Sequence, residues 1–194
     1  MLYNIPNILT LLRIALIPVF VVFFFTPFSW SNIAATAVFA FAGFTDWLDG
    51  YLARKLGQST AFGAFLDPVA DKLMVAIALI LLLDANPTPF DRSFLALPVA
   101  VVIGREIAIS ALREWMAEVG ERTQVAVSVI GKIKTSAQML AIGFLLYHEP
   151  VAELPTAEIG FVLLYLAALL TLWSMVIYTK AAWPILMNNN NNHS

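Results

Sequence analysis

Apolar residues occur along this chain in six long runs, separated by short segments such as "TPFSWSN" and "HEPVAELPT" that contain prolines and polar residues. A bilayer core about 30 Å thick requires roughly 20 apolar residues from one helix. Because a spanning segment must satisfy its own backbone hydrogen bonds, the pattern predicts an all-α membrane protein, a bundle of six transmembrane helices. The predicted spans are approximately Ile8–Phe25, Ile33–Leu52, Phe62–Leu83, Phe94–Met116, Val129–Tyr147 and Ile159–Trp183.

The composition agrees with a membrane protein and excludes several classes of function. The chain has 194 residues, of which 60% are hydrophobic and 12% are charged, whereas soluble domains average about 25% charged residues. Its net charge of −2 offers no basic surface, so we expect no nucleic-acid partner. The absence of cysteine excludes disulfides, thiolate metal sites and a cysteine nucleophile. The presence of only two histidines argues against a histidine-based zinc site.

The chain is interpreted as one membrane domain, residues 1–187, followed by the segment "NNNNNHS", residues 188–194, which resembles a vector-derived tail. The opening "MLYNIPNILTLLR" has no basic leader, and Arg13 interrupts its apolar run. We therefore expect the first helix to be retained and not cleaved as a signal peptide. No internal repeat is evident.

The distribution of Lys and Arg predicts the orientation in the membrane. The connections Thr26–Asn32 and His148–Glu158 contain neither residue, and Asp84–Arg92 contains only Arg92. The predicted opposite side carries Arg54, Lys55, Arg113, Arg122, Lys132, Lys134 and Lys180. With an even number of spans, this asymmetry predicts that both termini lie in the cytoplasm.

Two pairs of aspartates interrupt the apolar pattern. Asp46 and Asp49 are spaced i, i+3 near the end of the second predicted helix, and Asp67 and Asp71 are spaced i, i+4 near the start of the third. Each spacing places both carboxylates on one helix face, and the connection Gly50–Ala61 allows the two pairs to face one another. Such a cluster needs a cation, and oxygen ligands suit Mg²⁺ or Mn²⁺. Four carboxylates can hold two ions, as in phosphoryl displacement.

Other residues of this region allow a structural and a functional interpretation. A single aspartate near a helix end is usually a cap or solvated, which is our interpretation of Asp84 and Asp91. The small residues Gly50, Ala53 and Gly63 leave room for a ligand, or for close helix packing. Arg54 offers a fork to a phosphate or anchors the helix at the interface. Ser59 and Thr60 donate hydrogen bonds to a ligand or cap the third helix.

Together these residues resemble the signature of the CDP-alcohol phosphatidyltransferase family, with every position filled. The pattern is Asp46-x-x-Asp49-Gly50-x-x-Ala53-Arg54, eight residues, Gly63-x-x-x-Asp67-x-x-x-Asp71. The resemblance implies six transmembrane helices with cytoplasmic termini. It also implies a reaction in which an alcohol attacks the diacylglycerol-side phosphorus of a CDP-linked lipid and CMP leaves.

The resemblance further implies a role for each signature residue. Asp46, Asp49 and Asp67 are expected to bind two divalent cations, Mg²⁺ or Mn²⁺. Asp71 is expected to bind one of them and to act as general base toward the acceptor hydroxyl. The expected contacts to CDP-diacylglycerol come from Asn7, Thr10, Gly50, Ala53, Arg54, Thr60 and Gly63. For Asn7, a structural cap before the first helix remains an alternative.

A second polar set lies in the fourth and fifth predicted helices. Arg105 and Glu106 stand inside an apolar run, which is costly unless they are paired or functional. Internal pairing of Glu106 with Arg105 or with a lysine is one interpretation. The other is a cationic pocket formed by Arg105, Arg113 and Lys132, which favours an acceptor that carries its own phosphate. Glycerol 3-phosphate and inositol phosphate both fit.

The strings "REIAISALREWMAE" and "GKIKTSAQM" resemble family members that use glycerol 3-phosphate. We therefore expect sn-glycerol 3-phosphate as acceptor, its phosphate bound by Arg105, Arg113 and Lys132. The resemblance implies a homodimer in the lipid bilayer of the bacterial inner membrane, with the active site facing the cytoplasm. The alternatives are another acceptor such as inositol phosphate, a cation transporter, or a non-catalytic scaffold. A transporter would place its acids near mid-bilayer, often in repeated halves.

Overall fold

A computed structural model describes the backbone of residues 4–56, 61–118 and 129–191. These residues form six α-helices and no β-strand, which confirms the predicted all-α class. The helices are α1 (Ile5–Phe25), α2 (Ser31–Leu56), α3 (Ala61–Ala85), α4 (Arg92–Glu118), α5 (Val129–Tyr147) and α6 (Thr156–Asn191). Each predicted apolar run lies within one helix. Because α6 continues to Asn191, it includes part of the segment 188–194, whose origin as a tail stays a prediction.

Three helices of the described part are long and apolar enough to cross a membrane. The stretches that meet this condition are Asn7–Phe25, Arg92–Met116 and Thr156–Lys180. The apolar stretch Ile133–Tyr147 of α5 is shorter, and α2 and α3 carry the aspartates in their sequences. The chain is therefore a membrane protein, whereas six membrane crossings and cytoplasmic termini remain predictions.

Local sequence explains where α1 begins. The side chain of Asn4 accepts a hydrogen bond from the backbone N–H of Asn7 at 3.2 Å, and a proline occupies the first turn. An asparagine cap satisfies a backbone donor that has no helical partner, and a first-turn proline has no N–H to leave unsatisfied. The cap of α1 is thus Asn4, which leaves Asn7 inside the helix, contrary to the capping alternative considered for Asn7.

Asp91 caps α4, as its position before an apolar run predicts. Its Oδ1 accepts a hydrogen bond from the backbone N–H of Ser93 at 2.8 Å. Hydrogen bonds from the Ser93 side chain and backbone hold the pKa of Asp91 below its usual value. Because the folded-state pKa is lowered, the stabilising charge of this cap is present above the ordinary pKa of an aspartate. It is lost only as the pH falls through the lowered value.

The helices belong to two compact units, and the first contains α1, α2 and α3. It comprises Met1–Pro89 and Ile142–Gly160. In this unit α1 packs against both α2 and α3. Phe20 of α1 and Phe39 of α2 are almost fully buried, with ring centroids 6.4 Å apart. Asn32, near the start of α2, donates a hydrogen bond to the backbone oxygen of Tyr147 at 3.0 Å.

The second unit comprises Phe90–Ala141 and Phe161–Ser194. Its core includes Leu95 and Val102 of α4 and Leu164 of α6, which are fully buried. The hydroxyl of Tyr165 donates a hydrogen bond to the backbone oxygen of Phe94 at 2.8 Å and joins α6 to α4. Buried polar residues of this unit lie on α4, α5 and α6 and include Arg105, Lys134 and Ser174.

Candidate active site

Three polar residues of α1 share one buried helix face. Asn7, Thr10 and Arg13 are spaced by three residues, and their exposed fractions are 2%, 0% and 1%. At 1.5 Å per residue they extend about 9 Å along the start of the helix. Since α1 packs onto α2 and α3, this face brings hydrogen-bond donors and a positive charge into the interior of the first unit.

Arg13 binds the first pair of signature aspartates. Its Nη1 lies 2.7 Å from Oδ1 of Asp46, and its Nη2 donates a hydrogen bond to Oδ2 of Asp49. Asp49 is buried, whereas the Asp46 side chain is 46% exposed. One guanidinium therefore bridges an i, i+3 carboxylate pair at the boundary between the interior and the surface of the first unit.

Thr10 brings the second pair of aspartates to the same face. Its hydroxyl donates a hydrogen bond to Oδ1 of Asp67, which is partly buried. Asp46 and Asp67 both lie close enough to Asp49 to repel its carboxylate. Three of the four signature aspartates are therefore gathered where the end of α2 and the start of α3 meet the start of α1.

The remaining signature residues lie around this cluster or outside the described atoms. Asp71 follows Asp67 by one turn of α3 and is exposed, Gly63 is buried in the first turn of α3, and Gly50 directly follows Asp49 in α2. Two further residues, Ala53 and Arg54, belong to α2, but their side chains lie outside the described part of the structure. Thr60 lies outside it entirely.

The acid cluster has donors that suit divalent ions, but their present spacing does not. Among the described residues, no group of three or more acidic or histidine side chains is placed to hold a metal ion with its present spacing. The donors are nevertheless carboxylate and hydroxyl oxygens, the ligands that Mg²⁺ and Mn²⁺ prefer. Two of these carboxylates, those of Asp46 and Asp49, already contact a positive charge, the buried guanidinium of Arg13. The chemistry of the donors fits a hard cation, whereas their spacing is that of an arginine-bridged cluster.

In the second unit, Glu106 joins two buried cations. Its Oε1 accepts a hydrogen bond from Nη1 of Arg105 at 2.8 Å and another from Nζ of Lys134 at 2.8 Å. The Arg105 guanidinium also lies 3.3 Å from Oγ of Ser174 and 5.8 Å from the ring centroid of Tyr178. This is the internal pairing that the sequence offered as one interpretation. The guanidinium of Arg105 thus has partners within the protein, namely Glu106, Ser174 and Tyr178.

The other two candidates for the acceptor phosphate are only partly described. Arg113 lies on α4 eight residues after Arg105, and Lys132 lies on α5 two residues before Lys134. The side chains of Arg113 and Lys132 are outside the described part of the structure. Their role in binding a phosphate therefore stays a prediction.

Sequence reasoning missed the position of Arg13. Arg13 served only as evidence that the N-terminal helix is retained. The sequence nevertheless contains a signal for its role, the spacing of the polar residues in the first helix. Asn7-x-x-Thr10-x-x-Arg13 places three polar residues on one face of an otherwise apolar helix. An ionisable residue within such a helix indicates a functional site, with a partner to be sought among residues of opposite charge.

Comparisons with known proteins show the family to which the chain belongs. The model of the CDP-alcohol phosphatidyltransferase family matches residues 3–173. A Pseudomonas fluorescens protein named CDP-diacylglycerol–glycerol-3-phosphate 3-phosphatidyltransferase is 55% identical over 184 residues, which cover 94% of this chain and 92% of the relative. A relative with the same name from Pectobacterium atrosepticum is 54% identical over 93% of this chain and 95% of its own length. Another, from Shigella flexneri serotype 5b, is 52% identical over 96% of this chain and 98% of its own length. This chain therefore belongs to the CDP-alcohol phosphatidyltransferase family.

Proposed function

We propose that this chain is a phosphatidylglycerophosphate synthase, which transfers the phosphatidyl group from CDP-diacylglycerol to sn-glycerol 3-phosphate and releases CMP. The observation that carries the proposal is the gathering of Asp46, Asp49 and Asp67 against the buried Thr10 and Arg13 of α1. The names of the relatives support the two substrates.

The reaction requires positioning and charge compensation more than covalent help. A hydroxyl oxygen of the acceptor attacks the phosphorus that bears diacylglycerol, the bond from that phosphorus to the oxygen of CMP breaks, and a base takes the hydroxyl proton. Two divalent cations, held by Asp46, Asp49, Asp67 and Asp71, would neutralise the pyrophosphate and stabilise the departing CMP. Asp49 is buried, and each of Asp46, Asp49 and Asp67 is held by a side chain of α1.

Asp71 is the proposed general base. It lies one turn of α3 beyond Asp67 and is exposed, so an acceptor that arrives from water can reach its carboxylate. A positioned carboxylate that takes the proton during attack contributes typically about 10²- to 10⁴-fold to the rate. The proposed contacts to the CDP moiety come from Asn7, Thr10, Gly50, Ala53, Arg54, Thr60 and Gly63.

The acceptor site is proposed on Arg105, Arg113 and Lys132. The second unit supports a phosphate-bearing acceptor because its described polar cluster sets one carboxylate, Glu106, against the two cations Arg105 and Lys134. A phosphate that approaches Arg105 would share its guanidinium with Glu106. Inositol phosphate carries the same charge and is the alternative acceptor.

The membrane setting completes the proposal. All six helices are proposed to span the bacterial inner membrane, with both termini and the acid cluster on the cytoplasmic side, and two copies are proposed to form a homodimer. The support for the orientation is the scarcity of Lys and Arg in the connections Thr26–Asn32 and His148–Glu158. In this orientation the lipid tails remain in the bilayer while glycerol 3-phosphate arrives from the cytoplasm.

The test measures CMP release by the detergent-solubilised protein. It is incubated with CDP-diacylglycerol, Mg²⁺ or Mn²⁺, and a panel of acceptors that includes glycerol 3-phosphate, inositol phosphate, serine and glycerol. The expected result is CMP formation with glycerol 3-phosphate in preference to all others. Preference for inositol phosphate or serine would overturn the acceptor assignment, and the absence of CMP with every acceptor would overturn the proposed activity.

A further inference from the structure

Arg13 is a buried charge whose partners are the same carboxylates that the proposed function assigns to metal ions. Its side chain is 1% exposed, and its guanidinium contacts both Asp46 and Asp49. Its Nε is also buried and has no hydrogen-bond partner among the described atoms. Removing a charge of this size from water costs several kcal/mol unless partners compensate for it. The carboxylates of Asp46 and Asp49 therefore compensate for the cost of burying this arginine in an apolar helix.

We propose that Arg13 is the internal counter-ion of this pair, that it holds Asp46 and Asp49 together before divalent ions bind, and that the ions compete with it for the two carboxylates. This inference rests on the proposed metal-dependent function. It makes Arg13 a positioning residue, because it acts through the metal-binding aspartates.

The competition follows from the contacts. Each carboxylate has a limited number of oxygens, and Arg13 lies against one oxygen of Asp46 and one of Asp49. A positive charge within this distance also lowers the affinity of the site for any second cation, by Coulomb repulsion in a medium of reduced dielectric. At the same time, without a cation the two carboxylates would repel each other across one helix face. Arg13 therefore stabilises the carboxylate pair when no divalent ion is bound, and it weakens the affinity of the pair for such an ion.

A guanidinium that is displaced within the protein needs another anion. The pyrophosphate of the nucleotide lipid is the anion that the proposed reaction brings to this cluster, and arginine is suited to phosphate through its fork of donors. The unpartnered Nε of Arg13 shows that the side chain has donor capacity that the two carboxylates do not use.

The experiment measures Mn²⁺ binding without substrates, by titration followed by electron paramagnetic resonance of the free ion, together with thermal unfolding in detergent. Arg13→Gln removes the charge and retains a hydrogen-bonding side chain. We expect it to bind Mn²⁺ on the order of tenfold more tightly than the unaltered protein. Without metal its melting temperature should fall, and saturating Mn²⁺ should raise it by more than it raises that of the unaltered protein, because the ion replaces the lost guanidinium.

The matched control is Lys134→Gln, which removes a buried cation that is paired with Glu106 in the second unit. It should also lower the melting temperature, but its Mn²⁺ affinity and its stabilisation by Mn²⁺ should equal those of the unaltered protein. Unchanged or weaker Mn²⁺ binding by Arg13→Gln would overturn the inference, since a purely structural arginine supports the metal ligands and its loss loosens them.

Arg13→Lys keeps the test decisive if Arg13→Gln does not fold. A lysine ammonium is a point charge without the planar fork of a guanidinium, so it should hold the two carboxylates less firmly. Arg13→Lys should therefore bind Mn²⁺ several-fold more tightly than the unaltered protein, and equal or weaker binding would overturn the inference. The two proposals fail separately. CMP release by the unaltered protein together with no gain in metal affinity refutes only the counter-ion role. Tighter Mn²⁺ binding together with no CMP from any acceptor refutes only the proposed reaction.

Discussion

Glu106→Gln tests whether the buried polar cluster of the second unit stabilises the fold. Glu106 accepts hydrogen bonds from Arg105 and Lys134, both at 2.8 Å, and these two cations are 9% and 5% exposed. Breaking a buried ion pair by removing one partner costs about 3–5 kcal/mol. Since the Glu106 side chain is 26% exposed, solvent screens part of this energy, and about 3 kcal/mol is the expected loss of stability.

The loss is measured as a shift of the thermal unfolding midpoint in detergent. For a chain of this size 1 kcal/mol corresponds to about 2–4 °C, so the midpoint should fall by roughly 6–12 °C. Scans at two heating rates are needed, because irreversible unfolding makes the midpoint depend on rate. Glu114→Gln is the matched control, since Glu114 is an exposed acid on the same helix, and it should leave the midpoint almost unchanged.

A midpoint for Glu106→Gln within about 2 °C of the unaltered protein would refute the reasoning, since such a shift corresponds to 1 kcal/mol or less. A second check is the double variant Glu106→Gln with Lys134→Met. If the penalty comes from cations left without a carboxylate, removing one of them should recover part of the stability, and the two effects should not add. Simple additivity would show that Glu106 and Lys134 do not interact.

Three further predictions concern the first unit. Asp71→Asn should slow CMP release by about 10²- to 10⁴-fold while the protein still folds, whereas Asp91→Asn at the cap of α4 should keep the full rate. Normal turnover of Asp71→Asn would remove it as base. Thr10→Val should lower stability by about 1.5–3 kcal/mol in melting experiments, because the Asp67 carboxylate loses a donor, and Thr10→Ser should restore it. Chelation with EDTA should abolish CMP release and added Mg²⁺ should restore it, whereas turnover in EDTA would contradict the metal requirement.

The helices could be predicted from the sequence because their apolar runs are long and interrupted by clear breaks. α5 begins and ends at the predicted residues, Val129 and Tyr147, and α1 to α4 extend only a few residues beyond their predictions. The error is largest for α6, which continues from Trp183 to Asn191. The apolar run predicts only the part of a helix that would lie in the bilayer. The helix itself can continue into polar sequence, because its backbone hydrogen bonds do not depend on apolar side chains.

The candidate site was predictable only in part, for a physical reason. The spacing of the aspartates shows which carboxylates share a helix face, but it does not show which helix packs against that face. Thr10 and Arg13 reach Asp67 and Asp49 across 57 and 36 residues of sequence, and periodicity carries no information about such pairs. Charge offered the missing signal, since a buried arginine in an apolar helix requires an acidic partner.

The two polar clusters differ in the direction of their charge imbalance, and this difference bears on function. In the first unit, as far as its side chains are described, one guanidinium, that of Arg13, faces the carboxylates of Asp46 and Asp49, with Asp67 close by. In the second unit, among the described residues, one carboxylate faces two cations. A cluster that served only to stabilise a membrane bundle would gain most from balanced charge, because every uncompensated buried charge costs free energy. The first imbalance suits added cations and the second suits an added anion, which are the metal ions and the acceptor phosphate of the proposed reaction.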